Sequence, residues 1–221
     1  MSVCFSNSCR PATSRLTIVG SGAQARYVID IVERDGLAGI VDIDNRANVG
    51  KSRNGVPIFA VLTDFVRKVR PDQTEIVVAY GNNDRKRQIV EELAAHGFAF
   101  RNVISSLSFI SSSATIGKGC IVNPFVAIMA NANVGDHVII HSHSIIEHDN
   151  QIGSFVNIAP GVSLAGRVSV GSGAYLFTGA KVIPDVVIGA RAVIGAGAVV
   201  ISEVLDDETV VGVPAKPLRR T

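Results

Sequence analysis

The hydrophobic pattern of the second half of the chain repeats every six residues. From Ile104 to Val200 every sixth residue is Ile, Leu or Val, and the residue four positions later is small or apolar except at Ser144 and Asn150. Glycine recurs at an eighteen-residue spacing, at Gly117, Gly135, Gly153, Gly171 and Gly189. This pattern predicts a parallel β-helix with three short strands per coil, whose interior is filled by the two repeated positions. We expect the glycines to occupy corners, where the chain needs unusual backbone angles and a close approach.

The first half alternates short aliphatic strands with segments of helical spacing, which predicts a small, parallel, Rossmann-like α/β sheet. The predicted strands are 16–19, 39–42, 56–58 and 75–80. The predicted helices are 26–34, 62–69 and 85–96, the second of them capped by Thr63 and Asp64. The chain is thus divided into a disordered leader (1–15), an α/β domain (16–103) and a β-helix (104–221).

The composition and the net charge indicate which cellular location and which kinds of binding partner to expect. Hydrophobic residues make up 47% of the chain and aromatic residues 5%, which predicts an aliphatic core. A net charge of +2 argues against nucleic-acid binding, and no stretch approaches the roughly 20 apolar residues that cross a membrane. The first residues lack the apolar run of a signal peptide, which favours the cytoplasm. Three scattered cysteines predict neither a disulfide framework nor a metal site; Cys120 falls in the core and Cys4 and Cys9 in the leader.

The candidate chemistry centres on His148, which lies between Glu147 and Asp149. Two residues beyond the inward Ile146, His148 is predicted to point out of the prism. It is then a solvated surface residue, a catalytic base, or a metal ligand together with the other outward histidines, His141 and His143.

Several apolar side chains are also predicted to face outward, which suggests that an oligomer covers the walls of the prism. They are Phe125, Met129, Phe155, Tyr175 and Phe177. Packing of this kind places His148 in a cleft between subunits.

Five stretches taken together resemble sugar acetyltransferases of the NeuD or PglD type. They are residues 18–22, 80–83, 146–149, 157–161 and 211–216. The resemblance implies a left-handed β-helix, a homotrimer, and acetyl-CoA as the acetyl donor. It implies N-acetylation of a nucleotide-linked 4-amino-4,6-dideoxy sugar in surface glycan synthesis. The alternatives are a sialic acid-type O-acetyltransferase, a non-catalytic protein that binds a nucleotide sugar, and a metal-dependent, carbonic anhydrase-like β-helix.

The resemblance also implies roles for individual residues. His148 is the general base, since a neutral imidazole with a pKa near 6.5 can accept a proton from the attacking amine, and Asp149 or Glu147 orients it. No cysteine or serine nucleophile stands out, which favours direct transfer. The residues implied for the nucleotide sugar are Gly20, Ser21 and Gly22 near the phosphates, Asp42 near the ribose or base, and also Gly81, Asn82 and Asn83. Those implied for acetyl-CoA are Asn157, Gly166, Gly179 and Lys216, and no metal is expected.

Local alternatives exist for the glycines. The turn at Gly20 and Gly22 also fits an ordinary strand-to-helix connection, and Gly166 and Gly179 also fit corner geometry. Some family members carry histidine where this chain has Gln24 or Ala23, which leaves the sugar open.

Overall fold

The computed structural model of the protein describes residues 15–32 and 36–218. The predicted leader, with Cys4 and Cys9, lies outside these residues apart from Arg15, and so does the end of the first predicted helix. No helix within the described ranges combines the length and the apolar character needed to cross a membrane.

The first half forms the predicted α/β domain around a six-stranded sheet in the order β3-β4-β2-β1-β5-β6. All neighbouring strands are parallel except β3, which is antiparallel to β4. The strands are β1 (Leu16–Val19), β2 (Leu37–Asp42), β3 (Ser52–Arg53), β4 (Val56–Val61), β5 (Glu75–Val78) and β6 (Ala99–Phe100). The helices are α1 (Ala23–Ile31), α2 (Leu62–Lys68) and α3 (Asn83–Ala95).

The caps of α2 and the start of α3 differ from the predicted ones. Helix α2 begins after Val61, which makes no side-chain capping bond, so the prediction of Thr63 and Asp64 as caps is wrong. Both lie in the first turn, where the charge of Asp64 complements the helix dipole. Helix α3 begins two residues early because the Asn82 side chain accepts a hydrogen bond from the backbone N–H of Arg85 at 2.9 Å.

The second half is a left-handed parallel β-helix, as predicted. The two-residue strands from β7 to β23 pair in parallel with the strands of neighbouring coils, so Ile128, Ile146 and Leu164 lie in one column, whereas β25 is antiparallel to β24. The first wall contains β7 (Val103–Ile104), β10 (Ile121–Val122), β13 (Ile139–Ile140), β16 (Asn157–Ile158), β19 (Tyr175–Leu176), β22 (Val193–Ile194), β24 (Thr209–Val211) and β25 (Lys216–Pro217).

The other two walls continue the same stacking. The second wall contains β8 (Phe109–Ile110), β11 (Ala127–Ile128), β14 (Ile145–Ile146), β17 (Ser163–Leu164), β20 (Lys181–Val182) and β23 (Val199–Val200). The third wall contains β9 (Thr115–Ile116), β12 (Asn133–Val134), β15 (Gln151–Ile152), β18 (Ser169–Val170) and β21 (Val187–Ile188).

Aliphatic side chains from all three walls fill the prism, and each of the two polar exceptions makes a hydrogen bond within it, although the side-chain nitrogen of Asn150 has no partner among the described residues. The Ser144 hydroxyl donates to the carbonyl of Ala159 at 2.9 Å. The Asn150 side-chain oxygen accepts the N–H of Val168 at 2.5 Å. Cys120 lies in this core, as predicted.

The corners require left-handed backbone, but not at the glycines that recur every eighteen residues. Every sixth residue from Gly119 to Gly197 has a positive φ, including non-glycine residues such as Asn131 at 58° and Asp149 at 61°. The recurring glycines lie two residues earlier and outside that region. A Cβ on Gly153 would lie 2.6 Å from the backbone nitrogen of Ser172 in the next coil. The predicted close approach is therefore present, whereas the predicted unusual angles at these glycines are wrong.

The α/β domain packs on the part of the first wall that contains its first strands, β7, β10 and β13. Outward residues of that wall, Val103, Ile121 and Ile139, form one apolar cluster with β1 and α1 and are fully buried. His141 and Phe155, predicted to be exposed, are outward-facing but buried as well, at 7% and 9% exposure. The six-residue register predicts correctly that these side chains point outward, but it does not show that the α/β domain covers them.

We expect Gly153→Ala to destabilise the fold by about 3 kcal/mol, because the added methyl collides with the backbone of the next coil. Gly197→Ala is the matched control: φ is +66° there but the Cβ position is open, so strain alone costs about 1 kcal/mol. Urea unfolding at equal protein concentration measures both. Equal destabilisation of the two variants would contradict the collision.

Candidate active site

His148 lies on the corner that follows β14, where the second wall meets the third. Its side chain points away from the core, in the predicted direction, and is 48% exposed. Because its neighbour Ile146 is buried in the prism, the strand fixes the point at which the imidazole leaves the wall.

Asp149 orients the imidazole. The Nδ1 of His148 lies 2.7 Å from Oδ2 of Asp149. A carboxylate can only accept, so Nδ1 carries the proton, and Nε2 of the neutral ring retains its lone pair. Of the two acidic neighbours that the sequence leaves open, Asp149 makes this contact, because its left-handed backbone turns its side chain along the corner.

A second contact holds Asp149 in place. The side-chain N–H of Asn131, one coil below, donates to Oδ1 of Asp149 at 3.1 Å. Hydrogen bonds from His148 and Asn131 lower the pKa of Asp149, so the carboxylate stays charged near neutral pH.

Gly166, one coil above, provides the space in which the ring lies. A Cβ built on Gly166 would lie 2.5 Å from Cε1 and 2.6 Å from Nε2 of His148. The φ of Gly166 is outside the left-handed region, so the ring and not the backbone angle requires glycine here. The predicted role of Gly166 in binding the coenzyme stays a prediction.

The predicted phosphate turn joins β1 to α1. Gly20 has a φ of 112°, and a Cβ on it would lie 2.6 Å from the carbonyl oxygen of Ala79. Gly22 caps α1 without a side-chain hydrogen bond, and the first turn contains no acidic residue. The N–H groups at this helix end can therefore receive an anion.

Asp42 shapes the neighbouring loop. Ser21 and Asn48 donate to Oδ2, the latter at 2.9 Å, and the N–H groups of Asn45 and Asp44 donate to Oδ1 at 2.8 and 3.2 Å. Burial opposes ionisation of Asp42, but these hydrogen bonds outweigh it and lower the pKa. Both oxygens thus have protein partners, which favours a structural role over the predicted contact with a ribose or base.

The loop after β5 fastens the two domains together. The Asn83 side chain donates to the carbonyl of Gly173 at 2.8 Å, and the Asn157 side chain donates to the carbonyl of Gly81 at 2.6 Å. Asn157 is only 2% exposed. The structure therefore places it in the domain interface of its own chain, where it has no access to an acetyl group.

Lys86 completes this interface, although its sequence position gives no sign of it. Its Nζ donates to Oδ1 of Asn157 at 3.1 Å, and the residue is 1% exposed. Burial lowers the pKa of Lys86 to about 7. The buried side chain sits in an amphipathic helix among other basic residues, so no local pattern distinguishes it.

His141 and His143 contact side chains other than His148. The side-chain amides of Gln24 and Asn123 lie 3.2 and 3.0 Å from Nε2 and Nδ1 of His141, and burial and Lys86 lower its pKa. His143 stacks on Phe125. Within residues 15–32 and 36–218, no three His, Cys, Asp or Glu side chains are grouped to hold a metal ion.

The remaining predicted coenzyme residues lie away from His148 in the chain. Gly179 occupies the corner between the first and second walls, with a φ of 73° and open space around its Cβ position. Lys216 is exposed in β25, which pairs with β24. His148 and Gly179 therefore lie at opposite edges of the second wall.

Two family models match the chain in order. Residues 15–93 match the PglD N-terminal domain, and residues 113–148 match the bacterial transferase hexapeptide with six repeats.

Curated and solved relatives cover more of the chain. GDP-perosamine N-acetyltransferase of Escherichia coli O157:H7 is 30% identical over 149 residues, which are 65% of this chain and 66% of that enzyme. The crystal structure of PerB from Caulobacter crescentus with CoA and GDP-perosamine is 34% identical, with a TM-score of 0.86 over 94% of this chain and 99% of that one. The acetyltransferase domain of PglB from Neisseria gonorrhoeae FA1090, in complex with acetyl coenzyme A, is 32% identical, with a TM-score of 0.86 over 94% and 100%. These likenesses confirm the predicted family.

We expect the stability of the protein to rise with pH between about 7 and 9 because of Lys86. In that window Lys86 is neutral in the folded state but protonated in the unfolded chain, so the unfolded state binds more protons. The wild type should therefore gain about 2 kcal/mol over Lys86→Met between the two pH values. Urea unfolding at pH 7 and pH 9 measures this difference.

Lys51→Met, at an exposed lysine, is the control and should follow the wild type at both pH values. A pH dependence of Lys86→Met equal to that of the wild type would show that Lys86 is protonated when buried.

Proposed function

Because the chain belongs to the hexapeptide-repeat sugar acetyltransferases with a PglD-type N-terminal domain, we propose that it transfers an acetyl group from acetyl-CoA to an amine of a nucleotide-linked sugar. The sugar that we propose is a 4-amino-4,6-dideoxy sugar. The ligands of the Caulobacter structure, CoA and GDP-perosamine, support both substrates. We place the reaction in the cytoplasm, where acetyl-CoA is available, in the synthesis of a surface glycan.

One observation carries this proposal: His148 holds its Nδ1 proton against Asp149, so Nε2 keeps its lone pair, on a side chain that is 48% exposed. An imidazole in this tautomer is a general base for an amine. The nearby carboxylate stabilises the imidazolium that forms, since the ion pair strengthens as the ring becomes charged.

The proposed reaction is a direct transfer. The neutral amine attacks the thioester carbonyl, a C–N bond forms, and Nε2 of His148 takes the proton that the nitrogen loses. The C–S bond then breaks, and the imidazolium returns this proton to the departing sulfur of coenzyme A. No protein nucleophile is required, because the amine is itself sufficiently nucleophilic once it is deprotonated.

We assign binding of the nucleotide part of the sugar substrate to the β1–α1 turn. Its support is the uncapped N-terminus of α1 at Gly22 and the tight turn at Gly20. The guanidinium of Arg53 donates to the carbonyl of Ser21 at 3.0 Å and places a positive charge at the same edge. A diphosphate fits this combination of N–H groups and charge.

A cyclic homotrimer would complete the site. The second wall exposes Phe109 (58%), Ile145 (39%), Ile183 (41%) and Ile201 (51%), an apolar stripe that calls for a partner surface. If three copies turn this wall toward a common axis, the edge with His148 meets the neighbour's edge with Gly179. The acetyl-CoA arm would then lie between the open glycine corner of one copy and the base of the next.

The base assignment is tested by His148→Ala. We expect kcat for thioester cleavage with an amino-sugar nucleotide to fall by about 10² to 10⁴, the usual worth of a general base. His96→Ala, at the exposed C-cap residue of α3, is the control and should retain full activity. Near wild-type turnover of His148→Ala would remove the base assignment. A panel of amine and hydroxyl acceptors, read as coenzyme A release, separates N- from O-acetylation.

The trimer is tested by charge placed on the second wall. Ile145→Glu should dissociate the trimer into monomers, because it places a carboxylate in the apolar stripe. Gln151→Glu, at the equivalent outward position on the polar third wall, should leave the trimer intact. Sedimentation velocity distinguishes the two masses. An unchanged mass of Ile145→Glu would place the interface elsewhere.

A further inference from the structure

Asn131 shares the corner column of Asp149 and touches it directly. The two residues are eighteen apart, and both have left-handed backbone, with φ of 58° and 61°. This alignment lets the Asn131 amide donate to Oδ1 of Asp149 at 3.1 Å, while Oδ2 faces Nδ1 of His148.

The backbone of Asn131 is itself held from below. Its backbone N–H donates to the hydroxyl of Ser113 at 3.1 Å, one further coil down the same corner. Above Asp149, Arg167 pairs with Asp185 through two hydrogen bonds of 2.6 and 2.8 Å. Arg167 is therefore engaged with Asp185, and Oδ1 of Asp149 accepts its hydrogen bond from Asn131.

We propose that Asn131 is a positioning residue that selects the tautomer of His148 by fixing the rotation of the Asp149 carboxylate. The role of His148 as base rests on the proposed function; the orientation of its ring does not. A carboxylate that is 44% exposed can rotate about its side-chain bonds and turn its oxygens to water. With Oδ1 pinned, Oδ2 stays opposite Nδ1, and the Nε2 lone pair stays available.

Asparagine also tolerates left-handed backbone better than most residues, which offers a purely conformational reason for its presence. The two explanations differ for Asn131→Gly. Glycine satisfies the backbone at no cost, so the conformational explanation predicts no change, whereas loss of the amide frees the carboxylate.

The test measures Asn131→Gly in the full chain by kinetics and by ¹⁵N NMR of histidine-labelled protein, with the His148 signals identified by His148→Asn. We expect kcat to fall roughly 3- to 10-fold, the worth of one partly exposed hydrogen bond, with KM for both substrates little changed. The His148 signals should shift from the Nδ1–H form toward the Nε2–H form. Thermal stability should stay the same or rise.

Arg191→Gly makes the same exchange at a left-handed corner on another edge, where Arg191 pairs with Asp207, and should move neither readout. A wild-type tautomer and kcat in Asn131→Gly would overturn the inference even if His148→Ala is inactive. If His148→Ala is active, the base assignment fails, and the tautomer shift alone still decides whether Asn131 orients the ring.

Discussion

The eighteen-residue coil is the constraint on which the whole site depends. Because parallel strands stack in register, each residue lies above the one eighteen positions earlier, and side chains meet along columns as well as along the sequence. His148 has space because Gly166 lies above it, and Asp149 has a partner because Asn131 lies below it. A single inserted residue would turn such a column from the corner into the wall or the core. The repeat therefore supplies precision to the candidate active site as well as stability to the fold.

The α/β domain joins this scaffold by covering one of its walls. Apolar residues of β1 and α1 pack on Ile121 and Ile139, and polar contacts surround this patch. Asn83 and Asn157 each donate across the interface to a backbone carbonyl, so the connection depends on main-chain positions as much as on side-chain identity. The buried amine of Lys86 lies at the same place, where a charged group is costly unless it gives up its proton.

The strongly periodic parts of this protein can be predicted from sequence, and the parts made by contact between distant segments cannot. The aliphatic columns predict the β-helix, and the register predicts that His148 points outward. The same register predicts that His141 points outward, which is correct in direction, but it contains no information about the domain that buries this residue. Asn131 carries a readable signal, since its spacing of eighteen from Asp149 follows from the coil length. Lys86 carries none, because helical spacing places it on a face without revealing what covers that face.

The hydrogen-bonded interface between the two domains affects how substrates reach the site. Many two-domain enzymes open a hinge, admit their ligand and close over it. Here such a hinge would expose Lys86 and break the bonds of Asn83 and Asn157 together with the apolar contact beside them. We therefore expect the site to have its final shape before either substrate binds. The affinity for each substrate would then depend on how well it fits this preformed shape. The time between turnovers would depend on substrate diffusion and product release rather than on domain closure.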